Sequence, residues 1–151
     1  NNRIDIAVHS MKDVPTKLPA GLCQAAVLKR ANHKDLFVPG PGIEIEDPEY
    51  IHSLLPGKMV DFHSEHIIAT SSIRRQAQWL HRYPNHSIES IRGNGNTRLA
   101  KTADSTRAGT IFAAAGLERI NKKPANAIEL EWMQPAPAQG AIVIVMRDNE
   151  S

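Results

Sequence analysis

The chain has 151 residues, enough for one compact domain of ordinary size with a buried core. Its charges nearly cancel at +2, so neither a disordered polyelectrolyte nor a strongly basic nucleic-acid binder is indicated. No apolar run approaches the roughly 20 residues of a membrane span, and the single cysteine, Cys23, excludes an intramolecular disulfide framework and favours a reducing, cytoplasmic location.

Short apolar runs predict strands along the whole chain. Six such runs occupy residues 4–8, 23–28, 66–70, 87–91, 109–115 and 141–146. Most lack strict alternation, which is typical of strands covered on both faces in a parallel sheet flanked by helices. Residues 72–83 place Ile73, Ala77 and Leu80 at helical spacing, which predicts an apolar stripe on a helix. Strand, helix and strand in succession predict an α/β fold.

The two ends and two irregular segments predict the domain organisation. The chain enters a strand within a few residues of its start, without an initiator methionine, and leaves another just before its end. We therefore expect a piece of a longer chain. Residues 12–21 form a proline-bearing linker that could be a hinge, and residues 39–63 predict a loop with one short helix.

The first predicted strand ends in the polar sequence "HSMKD", residues 9–13. Lys12 and Asp13 could form a surface ion pair, which contributes roughly 0–1 kcal/mol. Alternatively, a carboxylate beside an anion-binding cleft could stabilise a developing cation or act as a general acid or base. Lys12 would then set the local field, and Ser10 would lie at the same strand end.

The segment "ATSSIRRQ", residues 69–76, joins a predicted strand to a predicted helix. Thr70, Ser71 and Ser72 are good N-cap residues, and Arg74 and Arg75 follow in the first turn. Cations at a helix N-terminus are disfavoured by roughly 0.3–1 kcal/mol each, because that end carries partial positive charge. Two arginines there predict a bound anion, with a solvated basic surface as the alternative.

A second loop of this kind follows the predicted strand at 87–91. Arg92 precedes the turn Gly93–Asn96, and a helix is predicted from Thr97 and Arg98. Glycines let backbone N–H groups approach a ligand closely, although such a segment can be only a turn. Both loops follow predicted parallel strands, where α/β sheets bind ligands. Four arginines there predict a ligand with several carboxylates or phosphates.

Five motifs now combine into a family resemblance. The segments "DIAVHSMKDVP", "ATSSIRRQ", "IRGNGNTRL", "AAAGLERI" and "PAPAQGAI" resemble, in order and spacing, the porphobilinogen deaminases, also called hydroxymethylbilane synthases. The resemblance covers nearly the whole chain. It implies a transferase of heme and porphyrin biosynthesis, which condenses porphobilinogen, a pyrrole bearing acetate and propionate, with release of ammonia. The product is a linear tetrapyrrole built on a covalent dipyrromethane cofactor.

The resemblance also implies roles for individual residues. Asp13 matches the catalytic aspartate, which interacts with pyrrole N–H groups and stabilises the azafulvene-like cation formed as ammonia leaves. The positions that match cofactor-binding residues are Lys12, Arg74, Arg75, Arg92, Ser10, Thr70, Ser71 and Ser72. The positions that match substrate-binding residues are Arg92, Arg98 and Arg119. No metal site is expected.

The family has three domains, the first two resembling the lobes of type II periplasmic binding proteins, with the active site between them. We expect residues 1–28 to hold the closing strand of domain 1 and a hinge, 29–138 to form domain 2, and 139–151 to return towards domain 1. The start of domain 1 and the third domain, which carries the cofactor cysteine, are expected to be absent, so Cys23 is not that cysteine. The fragment alone should be inactive.

Two departures from the family pattern are Ala138 and Gly95, where the family commonly has glycine and an apolar residue. The alternative to a transferase is a non-catalytic anion-binding lobe of periplasmic-binding-protein type. A nucleic-acid module would need more basic charge and more stacking aromatics than the two tryptophans supply. We expect a monomer whose partner is a small polycarboxylate, with no membrane or nucleic-acid partner.

Overall fold

The computed structural model describes residues 4–41 and 65–148. The chain divides into two compact units, the first formed by Asn1–His33 with Pro135–Ser151 and the second by Lys34–Gln134. The strands are β1 (Ile6–Ser10), β2 (Leu22–Val27), β3 (Asp35–Pro39), β4 (Ile67–Ala69), β5 (Ser87–Glu89), β6 (Gly109–Ala113), β7 (Ile128–Glu129) and β8 (Ile142–Arg147). The α-helices are α1 (Ile73–Arg82), α2 (Gly95–Ala103) and α3 (Ala114–Arg119).

The first unit contains a three-stranded antiparallel sheet in the order β1-β8-β2. The register of β1 on β8 runs from Ile6 opposite Met146 to Ser10 opposite Ile142. A single turn of 3₁₀ helix, Met11–Asp13, follows β1 directly. Val143 and Val145 of β8 are buried, whereas several apolar side chains of β1 and β2 are exposed.

The second unit contains a five-stranded sheet in the order β5-β4-β6-β3-β7. Strands β5, β4 and β6 are parallel, and α1 and α2 make the two connections between them. Strand β3 runs antiparallel to both of its neighbours, β6 and β7. The α/β class is thus confirmed, although parallel pairing is limited to three strands and the sheet is mixed.

Strand β3 contributes to the core on both faces of this sheet. Leu36 and Val38 belong to one cluster, which includes Phe112 and Leu117. Phe37 belongs to the other, where its ring stacks on Trp79 at a centroid distance of 5.3 Å. Because side chains alternate along a strand, these contacts bury β3 completely. The apolar runs of the sequence do not predict β3, because its five residues begin with aspartate and end with proline.

Helix α1 lies where the sequence predicted a helix, but its predicted apolar stripe is wrong. Ile73 is 81% exposed and Ala77 is exposed as well. The residues that α1 buries are Arg75 and Trp79, one turn apart. Spacing alone could not identify this face, because an arginine is buried only where the fold supplies its partners.

The remaining predicted elements have mixed outcomes. Each of the six predicted strands overlaps an observed strand, and β7 was not predicted. The short helix predicted within residues 39–63 falls on residues 42–63, outside the described residues. In the described parts of the chain, no helix has both the length and the apolar character needed to cross a membrane.

Candidate functional site

The loops that follow β4 and β5 lie side by side, because these strands are adjacent and parallel. Ser71 joins the two loops. Its Oγ lies 2.8 Å from Ser90 Oγ, donates to the Ile91 carbonyl at 2.8 Å and accepts from the Ile91 N–H at 3.0 Å. The two arginine-bearing segments therefore start from one edge of the sheet, and a serine predicted to bind cofactor links them.

The other two predicted hydroxyl residues of the first loop also make bonds within the protein. Thr70 is fully buried, and its Oγ1 accepts from the Ser72 N–H at 3.2 Å. Ser72 caps α1, since its Oγ accepts from the Arg75 N–H at 3.5 Å. The predicted N-cap is therefore confirmed, and these hydroxyls organise the loop that presents the arginines.

Arg74 and Arg75 meet a carboxylate of the protein itself, Asp35 at the start of β3. Arg74 Nη2 donates to Asp35 Oδ2 at 2.7 Å, and Arg75 donates to Oδ1 from Nε at 3.1 Å and from Nη2 at 2.7 Å. Asp35 is completely buried and Arg75 is 7% exposed, whereas Arg74 is partly exposed. Part of the negative charge that the sequence predicted at this helix terminus is thus supplied internally.

Asp35 is a site residue that the sequence reasoning missed. Its signal was a charged residue at the head of the short apolar run "DLFVP". A buried carboxylate is stable only when it is paired and hydrogen-bonded, so such a residue predicts basic partners elsewhere in the chain. The sequence does not say which arginines those are, because they lie about 40 residues further along.

Arg98, on α2, reaches the same place from the second loop. Its Nη2 donates to the Ile111 carbonyl of β6 at 2.7 Å, and Arg75 Nη1 donates to the same oxygen at 3.2 Å. The Arg98 guanidinium also lies 4.6 Å from the centroid of the Phe112 ring. The structure therefore brings Arg75 and Arg98 together on one carbonyl.

The charge of Arg98 has no carboxylate partner among the described residues. Its Nε is buried and makes no hydrogen bond within that part of the chain. Burial, and secondarily the positive charge of Arg75, lowers the pKa of Arg98 to about 10. Arg98 remains cationic at neutral pH, so a ligand carboxylate would both satisfy its Nε and relieve its repulsion with Arg75.

The remaining predicted arginines are exposed. Arg92 lies in the loop before α2, and its carbonyl accepts from Lys101 Nζ at 3.0 Å. Arg119 lies in the last turn of α3, where a cation is favourable. A Cβ added at Gly95 would lie 3.2 Å from Ile120 Cδ1, so the end of α3 approaches the start of α2.

The glycine loop before α2 has one glycine that the backbone requires. Gly93 has φ 125°, a conformation that side-chain-bearing residues rarely adopt. Asn94 caps α2 by accepting from the Thr97 N–H at 2.9 Å and from Thr97 Oγ1 at 3.0 Å. The helix begins at Gly95, two residues before the predicted start at Thr97, because the N-cap is Asn94.

In the first unit, Lys12 and Asp13 lie in the 3₁₀ turn after β1. Lys12 Nζ is 2.8 Å from Asp13 Oδ1, and the Asp13 side chain is 62% exposed. The turn is anchored by the Met11 N–H, which donates to the Ala141 carbonyl at 3.0 Å. Ser10 is partly buried, and its hydroxyl does not cap this turn. Asp13 is thus an exposed carboxylate on a hydrogen-bonded turn.

The strand that returns through the first unit begins after two residues with positive φ. Ala138 has φ 58°, in the left-handed region that favours glycine, and Gly140 has φ 88°. A Cβ at Gly140 would lie 2.6 Å from the Ala31 carbonyl, so that position requires glycine. Between them Gln139 is buried, and its Nε2 donates to the His33 carbonyl at 2.7 Å.

Comparison with known proteins matches the whole chain to one family. The family model described as "Porphobilinogen deaminase, dipyromethane cofactor binding domain" matches residues 1–151. The chain is 39% identical over 153 residues to the porphobilinogen deaminase, chloroplastic, of Pisum sativum, covering 99% of the chain and 38% of that relative. It is 38% identical over 149 residues to the porphobilinogen deaminase of Phenylobacterium zucineum, covering 97% of the chain and 42% of the relative. It is 40% identical over 153 residues to the porphobilinogen deaminase of Orientia tsutsugamushi, covering 99% of the chain and 47% of the relative. The chain therefore spans less than half the length of these curated relatives.

Proposed function

Because the chain belongs to the porphobilinogen deaminase family, as its motifs predicted, we propose that it is part of a transferase that condenses porphobilinogen into a linear tetrapyrrole with release of ammonia. The observation that carries this proposal is Arg98, a half-buried cation with no carboxylate partner among the described residues. Porphobilinogen bears two carboxylates, and tetrapyrrole chains bear many. A cluster of arginines suits such ligands, because a guanidinium binds a carboxylate through two parallel hydrogen bonds.

We propose that the second unit binds the carboxylates of substrate and cofactor. Arg98, Arg92 and Arg119 would bind substrate: Arg98 has a buried Nε without a hydrogen bond among the described residues, and Arg92 and Arg119 are exposed. The proposed cofactor ligands of this unit are Arg74, Arg75, Arg92, Thr70, Ser71 and Ser72, and Lys12 and Ser10 of the first unit are proposed cofactor ligands as well. The buried, unsatisfied Nε of Arg98 fits an anionic group such as the acid side chains of dipyrromethane. That cofactor, when bound, supplies the pyrrole carbon to which new units are added.

We propose that Asp13 is the catalytic residue. Loss of ammonia from porphobilinogen leaves positive charge on the pyrrole, and a nearby carboxylate stabilises that charge. Asp13 offers both oxygens on an anchored turn, one of them within 2.8 Å of Lys12 Nζ. The ammonium can itself bind a ligand carboxylate. Asp13 therefore has the charge and the exposure that the role requires.

The domain boundaries remain a proposal, with residues 1–28 and 139–151 assigned to domain 1 and 29–138 to domain 2. The division of the chain near residues 33 and 135 supports it. We further propose that domain 1 is completed by chain outside these 151 residues, because Ile6 and Val8 of β1 are 56% and 59% exposed. The 151-residue chain alone would then be inactive.

We also propose a cytoplasmic monomer without a membrane or nucleic-acid partner. The near-neutral charge and the single cysteine support this proposal. The chloroplastic relative from Pisum sativum indicates that the compartment differs within the family. Fractionation of cells and the mass of the complete protein in solution test compartment and oligomeric state. Membrane association or a stable dimer would contradict the proposal.

The test of the proposed activity is Asp13→Asn in the complete protein. Turnover of porphobilinogen, measured as ammonia release, should fall by about 10²- to 10³-fold, because the transition state loses a charge partner. Binding of a polycarboxylate should persist, because the arginines are untouched. Asp148→Asn is the matched control, since it removes another exposed carboxylate of the first unit.

The alternative, a non-catalytic anion-binding lobe, predicts a different result. In that case the complete protein would bind polycarboxylates and release no ammonia from porphobilinogen, with or without Asp13. A normal turnover rate in Asp13→Asn would instead contradict the role of Asp13 while leaving the reaction itself established.

A further inference from the structure

Asp35 lies among Arg74, Arg75 and Arg98, which we call the arginine cluster, and it has no role in the proposed chemistry. It is the first residue of β3, opposite Ala113 at the end of β6. Its side chain is completely inaccessible to solvent. A carboxylate in that position is costly, and well-packed apolar residues often replace buried ion pairs without loss of stability. Its presence calls for a reason beyond packing.

The contacts of Asp35 fix two guanidinium groups at once. Oδ2 accepts from Arg74, and Oδ1 accepts two hydrogen bonds from Arg75. Because both oxygens are used, the plane of the carboxylate determines where the two groups lie. Arg75 also donates to the Ile111 carbonyl, which Arg98 shares. Asp35 is therefore connected through Arg75 and that carbonyl to the cation that carries the proposed function.

We propose that Asp35 is a positioning residue, which orients the guanidinium groups of Arg74 and Arg75 and thereby sets the affinity of the arginine cluster for carboxylate ligands. The inference rests on the proposed function, since it assigns the cluster to the same polycarboxylate ligands. Arg74 is the member that Asp35 orients while leaving it partly exposed. Its Nη1 also donates to the Gln134 carbonyl, so the Arg74 guanidinium is held in one orientation before a ligand arrives.

A purely electrostatic role and an orienting role of Asp35 predict opposite effects of Asp35→Asn on anion binding. Removing a negative charge from a cationic cluster strengthens its attraction for anions if orientation is irrelevant. If orientation matters, the same change weakens binding, because the guanidinium groups lose their fixed geometry. At metal sites, partners that orient the ligating side chains are typically worth about 10- to 100-fold in affinity or activity, and we expect the lower end of that range here. Whether Asp35→Asn strengthens or weakens anion binding therefore decides between an electrostatic and an orienting role.

The experiment compares Asp35→Asn with wild type in the 151-residue chain, with citrate as the polycarboxylate probe. We expect about tenfold weaker citrate binding and faster solvent exchange of the Arg75 Hε proton by NMR. Glu89→Gln is the matched control, because Glu89 holds Arg107 through two bonds of 2.7 and 2.5 Å outside the cluster. Both measurements should stay at the wild-type value in Glu89→Gln.

Equal or tighter citrate binding by folded Asp35→Asn would overturn the proposal, as would an unchanged Arg75 Hε exchange rate. Asp35→Glu provides a second variant, which keeps the charge and moves the carboxylate by one methylene. It should also bind citrate more weakly, whereas a purely electrostatic role predicts no change. A measurement on the wild-type chain needs no variant to fold: Arg75 Hε should exchange at least tenfold more slowly than Hε of exposed Arg92, and equal rates would refute the orientation.

Arg98→Gln separates this inference from the proposed function. If wild type and Arg98→Gln bind citrate equally, or neither binds, the assignment of the cluster to carboxylate ligands fails, and control of affinity by Asp35 fails with it. If Arg98→Gln weakens citrate binding and Asp35→Asn does not, the proposed function stands and the positioning role is refuted.

Discussion

Arg75 forms a buried ion pair that outweighs the unfavourable position of its charge at the helix N-terminus. A cation in the first turn of a helix is disfavoured by roughly 0.3–1 kcal/mol. The buried pair with Asp35 is the larger effect, since removing one partner of such a pair typically costs about 3–5 kcal/mol. The predicted anion at this helix terminus is thus supplied at least in part by the protein, and the ligand roles of Arg74 and Arg75 stay predictions.

At the same scale, Ala138 is a residue with a measurable strain. Its left-handed conformation is unfavourable for any L-residue with a side chain, by roughly 1–2 kcal/mol. Ala138→Gly relieves this strain but gives the unfolded chain more freedom, which offsets about 0.4–1 kcal/mol. We expect the free energy of unfolding to rise by about 0.5–1 kcal/mol in urea denaturation.

Ala20→Gly is the control for that measurement. Ala20 is exposed in a turn of the same unit and does not have a positive φ, so it gains flexibility without losing strain. Its free energy of unfolding should fall. A fall of similar size in Ala138→Gly would show that Ala138 carries no strain.

At the scale of elements, the sequence predicted the location of those helices and strands that local patterns determine. The Ser72 cap and the apolar runs located α1 and six strands, because N-cap chemistry and strand hydrophobicity are local properties. The stripe of α1 could not be predicted, because burial of Arg75 depends on Asp35, 40 residues away in sequence. Strand β3 was missed for the same reason, since its central position depends on pairing with β6 and β7.

The candidate site was likewise predictable only in part. The positions of the two arginine loops at the ends of adjacent parallel strands followed from the order of strand and helix. The shared Ile111 carbonyl did not, because a main-chain acceptor leaves no trace in the sequence. Gly95 was read as part of an open glycine loop, whereas it is the first residue of α2.

The two glycines beside the start of α2 should therefore respond oppositely to alanine. Gly93→Ala should lower the free energy of unfolding by about 1–3 kcal/mol, because φ is 125° and the new Cβ would lie 2.8 Å from Thr97 Cβ. Gly95→Ala should raise it by up to about 0.5–1 kcal/mol, because alanine favours the helix and the nearest atom is a flexible Ile120 methyl. Urea denaturation of the two variants measures both; equal effects would contradict the assigned conformations.

At the scale of the whole molecule, the two units differ in how well they bury their apolar residues. Strand β3 of the second unit is covered on both faces. In the first unit Ile6 and Val8 of β1 are more than half exposed. Isolated exposed apolar residues are ordinary, but neighbours on one strand form a patch that proteins usually cover. This contrast motivates the proposal that the first unit is completed by further chain.

The exposed β1 patch should bind the apolar dye ANS in the 151-residue chain. The double variant Ile6→Thr with Val8→Thr should reduce ANS fluorescence, because threonine keeps strand propensity while removing apolar surface. Ile73→Thr is the control, since Ile73 is 81% exposed on α1 of the second unit and is not part of the β1 patch, and it should have little effect. Equal ANS fluorescence in the double variant and wild type would show that the patch is not the binding surface.

The Ile111 carbonyl gives the arginine cluster a form of mutational robustness. The acceptor that Arg74 and Arg75 share is the side-chain carboxylate of Asp35, so a single codon change can remove it. A main-chain carbonyl is encoded by every codon, so no substitution at position 111 deletes the acceptor of Arg98. Variation at that position is limited by the packing of the buried isoleucine side chain and by the pairing of its strand. The orientation of Arg98 therefore persists as long as strand β6 forms, whereas the orientation of Arg74 and Arg75 depends on one aspartate side chain.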